Sequence, residues 1–527
     1  MTNNPFIFSL LILISFSIFL TQLIFSARSQ LPLYENNIDP GYEYLMNGLN
    51  IVYFKLPGHL DHPGFPLQIL ISLIISSIFL VKSNFYFLSD FDLKKDFVIN
   101  SEIYALSTIS TLIFIQIATV IFVCFVLNRY FRTPIIGLFP LLLCLNPEMT
   151  KFITTIRPES LIFSLTNILI SLFIIYNHSN SRKTKNILSY FMGVLVAIGI
   201  LTKIIFAPFL LLFIFLKKFR FKFLFAFLST FILFLIPLRS NISPEWFINI
   251  ILQRGRHGDS LPTKNFSELL SDILELNNSV TPLFISTFLC FLIISFFHKR
   301  IDPKLSKIVF LNFFFIAIFS LLNFKDAYPQ DFVSLISLCG IFIILSLILL
   351  YNYLNINLNF ISIFFFNLIF LIFFVRIVFS VLESSSYTKR LISVEDSSIY
   401  RTSVADSNTF IVSSFKVPTK FSALLFGNFY YGPGIIDDEL FSKYPRNIEF
   451  NIWDNYFYSS QGEKLSCTYL NNLLNNFNRI YLVSNSPIQF IEKASVGGYD
   501  IKLGNQNKIG EVWSILDIQS IDCKVKE

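Results

Sequence analysis

The stretch "IYALSTISTLIFIQIATVIFVCFVL", from Ile103 to Leu127, decides the class of fold. It carries no charged side chain, and it is longer than the roughly 20 apolar residues that an α-helix needs to cross a bilayer. The whole chain has 527 residues, of which 54% are hydrophobic and only 14% are charged. We therefore predict an all-α polytopic membrane protein rather than a soluble globular one.

Apolar segments of this kind recur along the chain, and together they predict about eleven transmembrane helices. They are Pro5–Phe25, Ile103–Leu127, Pro134–Ile153, Glu159–Tyr176, Ile187–Leu201, Ile204–Leu216, Phe223–Leu238, Pro282–Phe297, Ile308–Leu322, Phe332–Leu350 and Phe360–Val381. One further apolar stretch, Leu67–Val81, is ambiguous. Most of the 65 phenylalanines are expected to face lipid.

Basic clusters between the segments predict the orientation. They are Arg129/Arg132, Arg182/Lys183/Lys185, Lys217/Lys218/Arg220/Lys222 and His298/Lys299/Arg300/Lys304/Lys307. The positive-inside rule places such clusters in the cytoplasm, and they occupy every second loop only if Leu67–Val81 does not cross the bilayer. We interpret that stretch as a juxtamembrane or re-entrant helix. The predicted N-terminus is then cytoplasmic and the C-terminus extracytoplasmic, in an inner or plasma membrane.

After Val381 the composition becomes mixed polar and charged, with short strand-like runs such as "NTFIVSS" and "NRIYLVSN". We predict a membrane domain over residues 1–382, with an outer loop over residues 26–102, and a soluble α/β or α+β domain over residues 383–527. Cys467 and Cys523 both lie in this outer domain, where a disulfide between them is chemically permitted. No phosphate-binding glycine motif is present, and the net charge of +7 fits basic loops, so neither nucleotide nor nucleic-acid binding is expected.

The predicted orientation brings the unusual polar residues to the outer face of the membrane. They are Asp39, Glu43, Asp61 and His62 of the first outer loop, Arg157 and Glu159 at the start of one segment, and Lys203 at the outer turn between two others. Each has a purely structural alternative: Asp39-Pro40-Gly41 suits a turn, Pro158-Glu159 suits a helix start, and Lys203 suits a snorkelling position. Their coincidence on one side favours a functional site.

The order of the motifs resembles that of a known superfamily. An outer-loop acid is followed by "HPGFP" from His62, then by Arg157-Pro158-Glu159 opening a span, then by "TKIIFAP" from Thr202. This order looks like the GT-C superfamily of integral-membrane glycosyltransferases, nearest the family 39 branch, which includes protein O-mannosyltransferases and the lipid A aminoarabinose transferase. The resemblance covers roughly residues 5–350.

The sequence departs from the family pattern at three places. Asp39 is followed by Pro40 rather than by a second acid, and the usual His-Pro-Pro is His62-Pro63-Gly64. The Arg-Tyr-x-x-Pro-like stretch expected near "KDAYPQDF" is degenerate. These departures bear on the substrate more than on the class of reaction.

The resemblance implies transfer of a sugar, by an inverting mechanism, from a polyprenyl-phosphate donor to a lipid, glycan or protein acceptor on the extracytoplasmic face. In this interpretation Asp39 is the general base, with Glu43 as its substitute. Arg157 and Lys203 neutralise the leaving phosphate, while His62, Asp61 and Glu159 orient substrate. If the two cations serve ion pairs instead, Glu159 or Asp39 is the expected partner. The sequence indicates no particular cofactor, and a divalent metal is compatible with the chemistry but not indicated, since His59, Asp61 and His62 lack a fourth ligand.

Other functions remain open at the level of sequence. A glycan polymerase or ligase would also need outer cations and a lipid-linked sugar. A lipid or glycan transporter would show inverted repeats and ionisable residues near the bilayer midplane, and neither pattern is evident here. A membrane-anchored binding protein would carry its function in the C-terminal domain.

Overall fold

A computed structural model describes the protein over residues 5–28, 33–36, 41–57, 64–85, 92–144, 150, 152–236, 287, 303–323, 333–354, 409–414, 419–430, 434–451, 455–459, 463–477, 479–484, 486–509 and 513–523. Contacts divide the chain into two compact units. The first unit comprises residues 1–28, 60–67 and 109–379, and the second comprises residues 29–59, 68–108 and 380–527. The units therefore interleave along the sequence. The predicted boundary at residue 383 stays a prediction, since it lies outside the described residues.

Helices dominate the first unit. They are α1 (Pro5–Arg28), the part of α5 (Leu93–Phe131) from Ile109 onward, α6 (Phe139–Leu143), α7 (Pro158–His178), α8 (Arg182–Thr202), α9 (Leu212–Phe215), α10 (Arg220–Leu235), α11 (Pro303–Asn323) and α12 (Val333–Leu354). Helices α8 and α10 pack side by side, as do α11 and α12, and α7 contacts α8, α11 and α12. Gly193 permits the first of these contacts, because a Cβ there would lie against the backbone of Phe223 in α10.

Phenylalanine fills the core of the first unit, which differs from the expected lipid-facing role. The ring of Phe209 lies 4.8 Å from that of Phe315 and 5.1 Å from that of Phe319, measured between centroids. All three side chains are buried, whereas others such as Phe114 and Phe221 are exposed. The expectation was wrong for the buried rings because aromatic side chains also pack well against one another between helices.

The second unit combines residues 29–59 and 68–108 with the C-terminal region from residue 380 onward. The two early ranges contribute α2 (Leu33–Asn36), α3 (Glu43–Val52), the part of α4 (Phe65–Phe85) from Gln68 onward, and α5 as far as Thr108. The C-terminal region supplies β1 (Thr409–Ser414), α13 (Lys420–Leu425), a π-helical turn (Phe426–Tyr430), α14 (Asp437–Lys443), β2 (Asn447–Asn451), β3 (Tyr456–Ser459), α15 (Cys467–Asn476), β4 (Arg479–Ser484), α16 (Pro487–Val496), β5 (Tyr499–Ile509) and β6 (Trp513–Cys523).

The strands form one six-stranded sheet in the order β3-β2-β1-β4-β6-β5. Strands β1, β2 and β4 are parallel, with Val412 opposite both Ile448 and Leu482, and the other pairings are antiparallel. These three apolar side chains share one buried face and belong to the domain's core. The C-terminal region is thus a mixed sheet with helices, as its short strand-like runs predicted.

Within the described residues, four helices are long and apolar enough to cross a membrane, which indicates membrane association. They are Phe65–Asn84, Leu93–Phe131, Pro158–His178 and Arg182–Thr202. The first of these contains the ambiguous stretch Leu67–Val81, which lies within one continuous helix; its predicted juxtamembrane or re-entrant placement stays a prediction. Its length would allow it to cross, while its contacts from Gln68 onward group it with the second unit.

Two predicted membrane segments are broken rather than continuous. Pro134–Ile153 begins as a 3-10 turn (Pro134–Leu138) followed by the five-residue helix α6. Ile204–Leu216 begins as a 3-10 helix (Ile204–Leu211) followed by the four-residue helix α9. Prolines explain both, because a prolyl nitrogen cannot donate the hydrogen bond that continues a helix. Hydrophobicity predicted these segments, but hydrophobicity does not show where a helix is interrupted.

Candidate functional site

The first element of the candidate site is the turn that leads into α7. The amide of Arg157 donates to the carbonyl of Thr155 at 2.9 Å, and the hydroxyl of Ser160 donates to the same carbonyl at 2.6 Å. Arg157 has an extended backbone and Pro158 begins the helix, in keeping with the preference for proline in a first helical turn. The turn thus fixes the Arg157 backbone. The central carbon of the Arg157 guanidinium lies 5.5 Å from the ring centroid of Phe152.

Helix α1 supports the residues that precede this turn. The amide of Gln22 donates to the Thr150 hydroxyl at 3.0 Å, and the hydroxyls of Ser26 and Thr154 lie 3.0 Å apart. The polar face of α1 is therefore used to hold the segment before Arg157. A polar group between apolar helices needs such a partner, because leaving it unsatisfied is costly.

The second element is an ion pair between two predicted site residues, and it is the pairing expected of Lys203 if that lysine serves an internal ion pair. Lys203 follows the last residue of α8, and Glu159 lies in the first turn of α7. The Lys203 Nζ lies 2.5 Å from the Glu159 Oε1, and the side chains are only 16% and 6% exposed. Glu159 also faces the positive end of the helix dipole, where a carboxylate is favoured.

The third element is the loop that follows the "HPG" motif. Gly64 has a positive φ of 36°, and its amide donates to the carbonyl of Thr202 at 2.9 Å. A proline at this position could supply neither feature, since its ring fixes a negative φ and its nitrogen carries no hydrogen. Gly64 therefore provides a backbone contact with the residue before Lys203.

Charged side chains of two motifs meet at the start of α7. Lys203 pairs with Glu159, and Arg157 lies two residues before Glu159, at the N-cap position of the helix. The pair is largely buried, so its charges are screened less by water than those of an exposed pair.

The other predicted site residues are Asp39, Glu43, Asp61 and His62. Asp39, Asp61 and His62 lie outside the described residues. Glu43 begins α3 in the second unit and is 2% exposed. A base must reach the proton it abstracts, and the choice between Asp39 and Glu43 stays a prediction.

A second ion pair, which no sequence argument singled out, lies in the second unit. The Lys82 Nζ of α4 lies 2.6 Å from the Asp96 Oδ2 of α5, with side chains 20% and 13% exposed. The Asp96 carboxylate also accepts from the Asn100 amide at 2.8 Å and from the Tyr104 hydroxyl at 2.5 Å. Asn100 has non-helical backbone angles at this point of α5.

Two further predictions concern the cysteines and metal binding. Cys467 is disulfide-bonded, whereas Cys124, Cys144 and Cys339 are free and buried. The Cys523 side chain is outside the described residues, so its pairing with Cys467 stays a prediction. Over the described ranges, no three or more histidine, cysteine or acidic side chains group as a metal site.

Comparison with known proteins returns no relative: no family model, no curated protein and no solved structure matches the chain. The site therefore has to be argued from its own geometry. Sequence reasoning missed the contribution of Gly64 and Thr202, although the glycine in "HPGFP" was a visible signal.

Proposed function

We propose that this protein is a GT-C-type membrane glycosyltransferase that takes a sugar from a polyprenyl-phosphate donor at the extracytoplasmic face. The observation that supports the proposal is that three motifs of the resemblance meet in the first unit. The amide of Gly64 in the "HPG" loop donates to the carbonyl of Thr202, and Lys203 pairs with Glu159 of the Arg157-Pro158-Glu159 motif.

The chemistry of the donor explains the role that the proposal gives to the two cations. A sugar joined to a polyprenyl chain through one phosphate is a phosphodiester, which carries one negative charge, and Arg157 and Lys203 are the cations that would face it. As the C1–oxygen bond breaks, the phosphate gains a second charge, so the cations stabilise the transition state more than the bound donor. The arginine fork suits two phosphate oxygens.

The acceptor hydroxyl attacks C1 from the face opposite the leaving phosphate, which inverts the anomeric configuration. Asp39 accepts the hydroxyl proton in this proposal, and Asp61 and His62 orient the substrates. The proposal includes about eleven spans, a cytoplasmic N-terminus and an extracytoplasmic C-terminal domain. A glycan polymerase or ligase would use the same cations, so the acceptor product distinguishes it from a transferase of single sugars.

The test is transfer by the purified full-length protein from a panel of polyprenyl-phosphate sugars, with release of polyprenyl phosphate as the readout. We expect release with at least one donor and none with a nucleotide sugar alone. A protein that moves intact lipid-linked sugar between the leaflets of vesicles, and cleaves none, would be a transporter instead.

The orientation has its own test. A reporter active only in the cytoplasm should work when fused after Lys185 and fail when fused after Glu527. Activity of the second fusion would contradict the topology and the outer location of the site.

A further inference from the structure

One face of helix α7 carries a row of buried polar side chains. Ser160, Ser164, Asn167 and Ser171 recur at intervals of four, three and four residues, so they lie on the same side of the helix. Each is at most 1% exposed. The three hydroxyls donate to backbone carbonyls of the residues four or five positions earlier, whereas neither atom of the Asn167 amide has a hydrogen-bond partner among the described residues. The asparagine is therefore the member of this row that needs a partner from outside α7.

Two other helices meet this part of α7. Helices α7, α11 and α12 pack against one another. The hydroxyls of Thr166 and Ser334 lie 3.4 Å apart and join α7 to α12. The Asn312 amide donates to the Leu338 carbonyl at 3.3 Å and joins α11 to α12. Since Ser334 and Leu338 are one helical turn apart, with Ser337 between them, the three helices come together within about one turn of α12.

Four polar atoms of these helices have no partner. They are the nitrogen and the oxygen of the Asn167 amide, the Oδ1 of Asn312 and the Oγ of Ser337, which make no hydrogen bond within the described part of the chain. The three side chains are 0%, 1% and 0% exposed. A buried polar group without a partner is costly between apolar helices, because apolar side chains neither donate nor accept hydrogen bonds. The interface therefore needs a ligand that can do both.

We propose that α7, α11 and α12 enclose a binding site for ordered water, held by Asn167, Asn312 and Ser337. The three side chains carry no formal charge and offer both donors and acceptors, which suits a small neutral ligand. A buried water molecule typically makes about three hydrogen bonds to polar groups that have no other partner, and three such side chains are supplied here by three helices. This inference goes beyond the proposed function and does not depend on a sugar donor.

Radiolytic footprinting of the full-length protein in detergent tests the site directly. A short X-ray pulse converts water into hydroxyl radicals, which oxidise side chains in their immediate neighbourhood, so a buried residue is modified only where water is bound beside it. Leu338 is compared with Leu212 of α9, because both are leucines of the same core with 0% exposure. Mass spectrometry gives the oxidation rate of each leucine.

We expect Leu338 to be oxidised about fivefold faster than Leu212 in the wild type, because the bound water lies beside it. Asn167→Leu should bring the two rates within about twofold, since leucine has a similar size and cannot bind water. Ser171→Ala is the matched control, because it removes a polar group of the same helix face that is already bonded within α7. The control should keep the wild-type rate at Leu338.

Thermal unfolding gives a second test, in which the sign of the change distinguishes a hydrated interface from a dry one. With bound water, Asn167→Leu should lower the melting temperature, because the oxygens of Asn312 and Ser337 would lose their bridging partner. In a dry interface the same change should raise the melting temperature, because it removes a buried amide without a partner. Should Asn167→Leu fail to fold, Ser337→Ala replaces it in both measurements, with the same expected directions.

Several outcomes would overturn the site. Equal oxidation of Leu338 and Leu212 in the wild type would show a dry interface, and so would a higher melting temperature of Asn167→Leu. Oxidation of Leu338 that persists in both Asn167→Leu and Ser337→Ala would place the water elsewhere. A wild-type melting temperature that rises with sodium chloride but not with choline chloride would identify a metal cation as the ligand instead. None of these measurements uses a sugar donor, so the site and the proposed function can fail independently.

Discussion

Two partly buried ion pairs among the described residues have similar geometry and different surroundings. Lys203–Glu159 and Lys82–Asp96 have nitrogen–oxygen distances of 2.5 and 2.6 Å, and all four side chains are at most 20% exposed. Asp96 also accepts hydrogen bonds from the neutral groups of Asn100 and Tyr104, inside the second unit. Glu159 lies instead in the first turn of α7, two residues after Arg157.

The proposed function assigns different roles to the two pairs. Asp96 receives hydrogen bonds from one cation and two neutral groups, as expected of a structural pair. Lys203 and Glu159 belong to motifs of the resemblance, and in the proposal the lysine also serves the phosphate of the donor. Matched substitutions in the two pairs can break or sharpen this comparison.

The largest effect is expected from removing the proposed base. Asp39→Asn should lower turnover by roughly 100- to 10,000-fold, the range typical of general-base catalysis. Donor affinity should change little, because a base acts mainly on the barrier. Asp96→Asn makes the same chemical change in the second pair and should leave turnover within about threefold, as measured by release of polyprenyl phosphate. If Glu43→Gln is inactive and Asp39→Asn is active, the base is Glu43.

The sequence grouped the residues of the first pair, and the structure brings Lys203 and Glu159 together. Motif order and loop charges predicted that Arg157, Glu159 and Lys203 share one side of the membrane, because short motifs and loop charges are local signals; that side and the functional site stay predictions. The second pair carried no such signal: Lys82 and Asp96 meet only because α4 and α5 pack together. Periodicity within one helix holds no information about which neighbour covers it.

The sequence also did not predict which segments of the chain form the second unit. Residues 42 and 427 are far apart in sequence, and no sequence pattern around either residue predicts their contact. The predicted division into a membrane domain and a C-terminal domain relied on composition alone. Composition shows only where the apolar segments end. Composition cannot show that an early loop joins a late domain, since that depends on long-range packing.

The second-largest effect is expected at the two lysines. Lys203→Gln should weaken binding of the polyprenyl-phosphate sugar by about 10- to 100-fold, as expected for one lost charge-assisted hydrogen bond. Lys82→Gln should leave donor affinity within about twofold and lower the melting temperature, because Asp96 would lose its cation while buried. Donor titration and thermal unfolding of both variants give the measurement. Equal donor affinity in both variants would remove the functional distinction between the pairs.

A further buried carboxylate, for which the described residues show no ion pair, extends the comparison. Glu449 on β2 is fully buried and accepts a hydrogen bond from the Ser422 hydroxyl at 2.6 Å. Burial raises its pKa from 4.5 to about 8. The folded state then holds a proton that the unfolded state releases above its lower pKa. The stabilisation is fully present below about pH 4.5 and is lost as pH rises through about 8.

We therefore expect the free energy of unfolding of the C-terminal domain to fall by roughly 3 kcal/mol between pH 5 and pH 8. Glu449→Gln should remove most of that slope, because the amide keeps the shape and cannot ionise. Chemical denaturation of the full-length protein, followed by hydrogen exchange in β2, measures both slopes. A variant whose stability falls with pH as steeply as that of the wild type would assign the slope to another group.

The smallest effect is expected from Glu159→Gln. This change tests whether Glu159 acts only by holding Lys203 in position. The glutamine oxygen can still accept a hydrogen bond from Lys203, so the position of the lysine should persist while the cluster gains one net positive charge. Donor affinity should stay within about threefold of the wild type and shift toward tighter binding, and its dependence on salt should increase, since screening acts on the larger charge. The matched Asp96→Asn change should alter neither quantity. If Glu159→Gln instead weakens donor binding as much as Lys203→Gln does, the carboxylate itself contacts the donor. Glu159 is then a substrate-binding residue and not only a partner of Lys203.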